Sequence, residues 1–226
     1  MTRIWIALFV GLDLLAPEAR AAPQTACPDS LASVTAEDTE TIHRVCDIAA
    51  RADIRFNALG LGLIQAISIV ITETLDAAPD HYVALFNTAR NELQVLPEHC
   101  LEGRPGRLGY FPEMLADVFF DSLLVHELSH AYFEQTAGAE SSRLAHEYLA
   151  YALQLDALPA AQRDLILAEA DIDRPVVLSD FNEALLGFAP QRYAALAWLH
   201  FSAQPNPRVT VRGLLDGTLN FYSLRE

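Results

Sequence analysis

An α+β fold is the class this sequence predicts: a small N-terminal antiparallel sheet with a helix, then a mainly helical half. Three observations point to it. Short β-branched or alternating apolar runs fall only between Leu31 and Leu96. From Pro112 onward, apolar residues recur at helical spacing instead. The 226 residues, 52% of them apolar, suffice to bury one core, and no repeat, low-complexity tract or long linker divides them.

The first 21 residues read apart from that fold. Met1-Thr2-Arg3 is a short positive start, Ile4 to Ala16 is mostly apolar, and Ala19-Arg20-Ala21 fits the small-x-small rule of signal peptidase. The expectation is a signal peptide over 1–21 and a single domain over 22–226. The apolar run is too short for a ~30 Å bilayer core, and Asp13 disfavours an anchor. A lipoprotein is rejected, because Gln24-Thr25-Ala26 rather than a Leu-containing lipobox precedes Cys27.

Leu31 to Ala36 is read as a short strand. Asp38 or Thr39 then caps a helix reaching about Asn57, with Ile42, Val45, Cys46, Ile48 and Ala49 as its apolar stripe. Ile67 to Thr72 is β-branched and reads as a strand, and Asp76 to His81 turns the chain. Tyr82–Phe86 and Glu92–Leu96 flank Asn87-Thr88-Ala89-Arg90-Asn91 as a hairpin. Three glycines and two prolines make Pro97 to Phe111 a loop. Pro112 suits the first turn of the next helix and Gly138 the residue past its end. Helices are expected from Ser141 to Leu155, from Pro159 to Ala170 and from Pro190 to Ser202, with a break at Asp171–Ser179 and a short tail.

Fifteen basic residues, all Arg, against 30 acidic ones give a formal charge of −15. That surplus argues against nucleic acid or an anionic membrane as partner. Export implies an oxidising compartment, where cysteines tend to pair. Cys27, Cys46 and Cys100 allow one disulfide and leave one thiol, and their spacing does not choose the pair. It matches no zinc or redox pattern, so all three read as structural.

The chemistry is carried by His126-Glu127-Leu128-Ser129-His130, an HExxH motif inside an apolar helix. Histidines four apart leave one helix face a single turn apart, which suits two nitrogens each ~2.0–2.1 Å from one Zn²⁺. Glu127 lies beside the first ligand, where its carboxylate can reach a water at the metal rather than the metal itself. A catalytic zinc usually takes three protein ligands and leaves a fourth place open. Thr136 stands where an extended motif would place a third His, six residues after His130, and Phe133 where it would place a Gly between, so that arrangement is absent. Of Glu134, Glu140, His146 and Glu147, the best placed is Glu147. It lies mid-helix in the next segment, which an antiparallel hairpin turning near Gly138 brings back alongside the motif.

His126-Glu-Leu-Ser-His130 followed by Glu147 in His146-Glu147-Tyr-Leu-Ala-Tyr151 resembles the gluzincin class of zinc metallopeptidases, and also an uncharacterised family of exported bacterial proteins with the same layout. The residue match covers about 126–151 and the layout match about 40–157. The resemblance implies a zincin-like fold, Zn²⁺ on His126, His130 and Glu147, Glu127 as general base, and a peptide or protein substrate. The N-terminal signal peptide, cleaved near Ala21, implies a periplasmic or secreted bacterial protein. The resemblance also implies that an edge strand lines the cleft, for which the Tyr82–Leu96 hairpin is the candidate, with the Glu102–Gly109 loop as a rim or a plain connector. Beyond residue 160 no motif supplies the usual oxyanion donor, and Tyr151, Tyr193 and His200 are the candidates. Two other readings stand beside peptidase: a non-catalytic zinc-binding or interaction protein, and a zinc amidase acting on a cell-wall fragment.

Overall fold

The computed structural model describes residues 24–76, 82–101, 114–137, 142–219 and 221. The signal peptide expected over 1–21, the turn residues 77–81, Glu102–Gly109, Pro112, Gly138 and Glu140 lie outside the described residues.

The architecture is α+β, with five strands: β1 (Thr25–Ala26), β2 (Ala32–Thr35), β3 (Ile67–Ile71), β4 (Ala84–Asn87) and β5 (Glu92–Val95). They form one sheet in the order β1-β2-β3-β5-β4. That sheet is mixed rather than antiparallel. β1/β2 and β4/β5 are antiparallel, but β2/β3 and β3/β5 are parallel. The reason is the connection. Helix α1 (Thr39–Leu59), 21 residues long, carries the chain from the end of β2 back to its start, so β3 must run the same way. The expected hairpin is present, folded with β5 inside and β4 at the sheet edge. Val34 pairs Ile69 and Ile69 pairs Leu93, and all three are fully buried.

Helix α1 starts where Asp38 accepts the Thr41 amide at 2.7 Å and ends at Gly60, whose φ of +88° is open to glycine at no steric cost. The predicted stripe is buried, extended by Ala52, Phe56 and Leu59. A disulfide joins Cys46 on this helix to Cys27 beside β1, and Cys100 is a free thiol.

The helical part contains α2 (Glu98–Leu101), α3 (Ala116–Ala137), α4 (Arg143–Ala157), α5 (Ala160–Ala170), α6 (Glu183–Phe188), α7 (Pro190–Ser202) and α8 (Pro207–Leu215). β1, α2, α6 and α8 are additional to the sequence expectation. α2 begins inside what read as a loop, and α8 replaces the tail, with Pro207 in its first turn and Val211 and Leu214 buried. Helix α3 is the centre of the molecule. It packs against α1, α4 and the β4–β5 side of the sheet. Phe119, Phe120, Leu123, Leu124, Leu128, Ala131 and Phe133 bury much of its circumference rather than one stripe. Arg44 of α1 locks it in place, donating through Nε to Asp121 at 2.7 Å and through Nη2 to the Asp117 carbonyl at 2.8 Å, while Nη1 pairs with Glu98. Tyr132 adds a bond to Asp53 at 2.6 Å.

No helix among the described residues is long and apolar enough to cross a membrane.

Candidate metal centre

Because the middle of α3 is sunk in the core, polar side chains there are carried inward. His126 is only 8% exposed. Helix α4 starts at Ser142, whose hydroxyl accepts the Ala145 amide at 3.2 Å, and runs antiparallel to α3: His146 faces His130 and Phe133, while Gln154 reaches back to Ser122 and His126. This hairpin delivers Glu147 to the histidine pair.

Among the described residues, ligand atoms of His126, His130 and Glu147 lie within 4.8 Å of one another. The two histidine Nε2 atoms are 3.2 Å apart, and Glu147 Oε2 is 3.7 Å from His126 Nε2. Donors held ~2.0–2.1 Å from one tetrahedral ion stand about 3.3 Å apart, so these spacings fit a metal between them. Two imidazoles and a carboxylate form a donor set that can hold a divalent metal ion.

Gln154 settles which nitrogen of His126 is available. The Ser122 hydroxyl donates to the Phe119 carbonyl at 2.9 Å, so its oxygen accepts from Gln154 Nε2 at 3.3 Å. The Gln154 carbonyl oxygen therefore faces His126 Nδ1, at 3.0 Å. An amide oxygen only accepts, so Nδ1 carries the proton and Nε2 presents its lone pair to the metal position. Gln154 was not foreseen. Its signal was spacing alone, since it lies two helical turns after Glu147.

Burial dominates the electrostatics. It depresses the His126 pKa to about 4 against the opposing pull of Gln154, and it holds His130 well below the ordinary value, helped by His126 and His146. Both are thus neutral, the form that binds a cation. The carboxylates move the other way. Burial raises Glu127 to about 8, reinforced by the charge of Glu147. It raises Glu147 to about 7, with Arg143 pulling down and Glu183 pushing up. A cation between them would reverse these shifts.

The centre opens into a cavity of about 470 Å³. His126, Glu127, His130 and Glu147 line it together with residues 82–86, which run into the edge strand β4. The hairpin thus stands where an edge strand was expected. Leu186 of α6 and Arg143, paired with Glu183 at 2.7 Å, complete part of the rim and were not anticipated. Of the three oxyanion candidates, only Tyr151 reaches the cavity, with its ring edge-on to His126 at 4.7 Å between centroids. Burial keeps its phenol protonated. Tyr193 instead donates to the Leu144 carbonyl at 3.1 Å, and His200 Nδ1 bonds the Tyr148 hydroxyl at 2.6 Å. The rotation of α7 turns both into the α4–α7 packing and away from the cavity. Glu134 faces His146 at 3.8 Å and is not among the three grouped ligands.

A family model described as a family of unknown function, DUF6639, matches residues 32–224. No curated protein and no solved structure matches the chain.

Proposed function

The chain belongs to this family of unknown function, and we propose, from its own residues, that it is a gluzincin-like zinc metallopeptidase hydrolysing peptide bonds. The observation that carries the reading is Glu127: a half-buried carboxylate outside the three-ligand set, lining the same cavity as His126, His130 and Glu147. A site built only to hold a metal has no use for it. The Cys27–Cys46 disulfide is consistent with an exported, oxidising setting, periplasmic or secreted.

Zinc held by His126, His130 and Glu147 would supply a Lewis acid that polarises the scissile carbonyl and makes water acidic near neutral pH. The chain's own residues do the rest. Glu127 takes the proton from the attacking water and hands it to the departing amine. Tyr151, a protonated donor on the cavity wall, stabilises the oxyanion. Among the described residues β4 has a hydrogen-bonded strand neighbour on one side only, so its outer edge can pair an extended peptide along the cleft.

Replacing Glu127 with Gln is expected to leave zinc bound at the His126–His130–Glu147 centre and to reduce hydrolysis of a quenched-fluorescent peptide library by ~10²-fold or more. Undiminished turnover in that variant would remove the catalytic assignment.

A further inference from the structure

We propose a second metal site, independent of the first, formed by Glu73, His99 and Cys100 and suited to a borderline divalent cation such as Zn²⁺. Ligand atoms of these three side chains lie within 4.8 Å of one another, and His99 Nε2 is 3.2 Å from Glu73 Oε1. Sheet topology brings them together. β3 and β5 are parallel neighbours, so their C-terminal ends lie side by side. Glu73 lies two residues past the end of β3, and His99 and Cys100 sit on α2, which starts three residues past the end of β5. The crevice beyond the C-terminal ends of parallel strands is where open sheets of this kind commonly receive ligands.

Thiolate, imidazole and carboxylate together select against Mg²⁺ and Ca²⁺, which want oxygen alone, and favour zinc and its neighbours. With zinc–sulfur and zinc–nitrogen distances of ~2.3 and ~2.0–2.1 Å, the His99–Glu73 pair already has donor spacing, and any closure on the thiol is at most about 1 Å; the exposed Glu73 is free of helix or strand to make that movement. Water would complete the coordination. Bound there, the cation would clip the segment after β3 to α2. Cys100 is also the one thiol that the Cys27–Cys46 disulfide leaves over, so it remains available as a ligand.

Cobalt(II) substitution tests the site, because only this site of the two holds sulfur. The full chain, with Cys100 reduced, is titrated with cobalt(II) and followed by absorption. A thiolate-to-cobalt charge-transfer band in the near ultraviolet is expected, with two cobalt ions per chain. The band should vanish in Cys100→Ser and weaken at least tenfold in apparent affinity in His99→Ala and Glu73→Gln. Uptake of cobalt with no such band overturns the proposal. So does a band that survives unchanged in both His99→Ala and Glu73→Gln, which would mean that the thiol alone takes the ion. Neither outcome bears on the His126–His130–Glu147 centre, whose cobalt spectrum contains no sulfur contribution.

Discussion

Gln154 shows how much one side chain outside the ligand set decides. Its amide is oriented by Ser122, and it in turn fixes the tautomer of His126. A side chain that cannot accept would let the imidazole rotate and exchange its proton between nitrogens, without altering the set of ligands. Gln154→Leu is therefore expected to weaken zinc binding 10- to 100-fold while the helical content stays intact. A chelator competition assay on the folded variant measures this, and an unchanged affinity would show that His126 is oriented by something else. Residue-scale legibility follows the same line. His126, Glu127 and His130 were readable because the helix alone sets their mutual geometry. Gln154 was not, because its role depends on how two helices rotate against each other. The same blindness made Tyr193 and His200 look eligible, when rotation of α7 gives their polar atoms to Leu144 and Tyr148.

Among elements, the α3–α4 hairpin was legible because its connection is short, and short connections between helices leave antiparallel neighbours. Glu147 follows from that alone. The strand directions were less legible. The β4–β5 hairpin announced itself through its turn residues, but the parallel pairing of β3 depends on α1 returning the chain, a non-local fact. The cysteine pair was hidden for a similar reason: sequence spacing says nothing of whether Cys27 or Cys100 comes to lie against Cys46. The bond that forms links the N-terminal segment to α1 across a separation of 19 residues. Closing a loop of that size in the unfolded chain is worth ~3 kcal/mol. Reducing it is thus expected to lower unfolding free energy by about that amount in denaturant titrations, with zinc stoichiometry unchanged, since α1 bears no ligand. Loss of zinc on reduction alone would show that the two are coupled.

At the scale of the whole molecule, burying two carboxylates and two imidazoles links stability to pH and to metal. In the metal-free protein Glu147 and Glu127 titrate near 7 and 8, whereas an ordinary glutamate has already lost its proton at 4.5. Over the interval from about 6.5 to 8 the folded state therefore holds more protons than the unfolded one, and stability falls as pH rises. Below 6.5 the histidines act in the opposite sense, because the unfolded chain protonates them while burial keeps His126 neutral down to about 4. The net loss is confined to the alkaline side. Thermal melts of chelated protein should show a lower Tm at pH 8 than at pH 6.5, and zinc should shrink that difference by holding Glu147 ionised in its favoured state. A Tm that is equal or higher at pH 8 without metal would contradict the burial of these carboxylates.

The open edge of β4 carries a further consequence. An unpaired strand edge is ordinarily a template for self-association, on which a second copy can extend the sheet and begin an aggregate. Here that edge forms one wall of a cavity whose other wall is helical, with Leu186 of α6 at its rim. Such a slot favours a single extended segment over the sheet of another folded copy, which brings its own flanking helices. The chain's charge of −15 adds mutual repulsion between copies. On the proposed peptidase reading, the same placement would also sort substrates by shape, admitting loose or unfolded chain and turning away anything already folded.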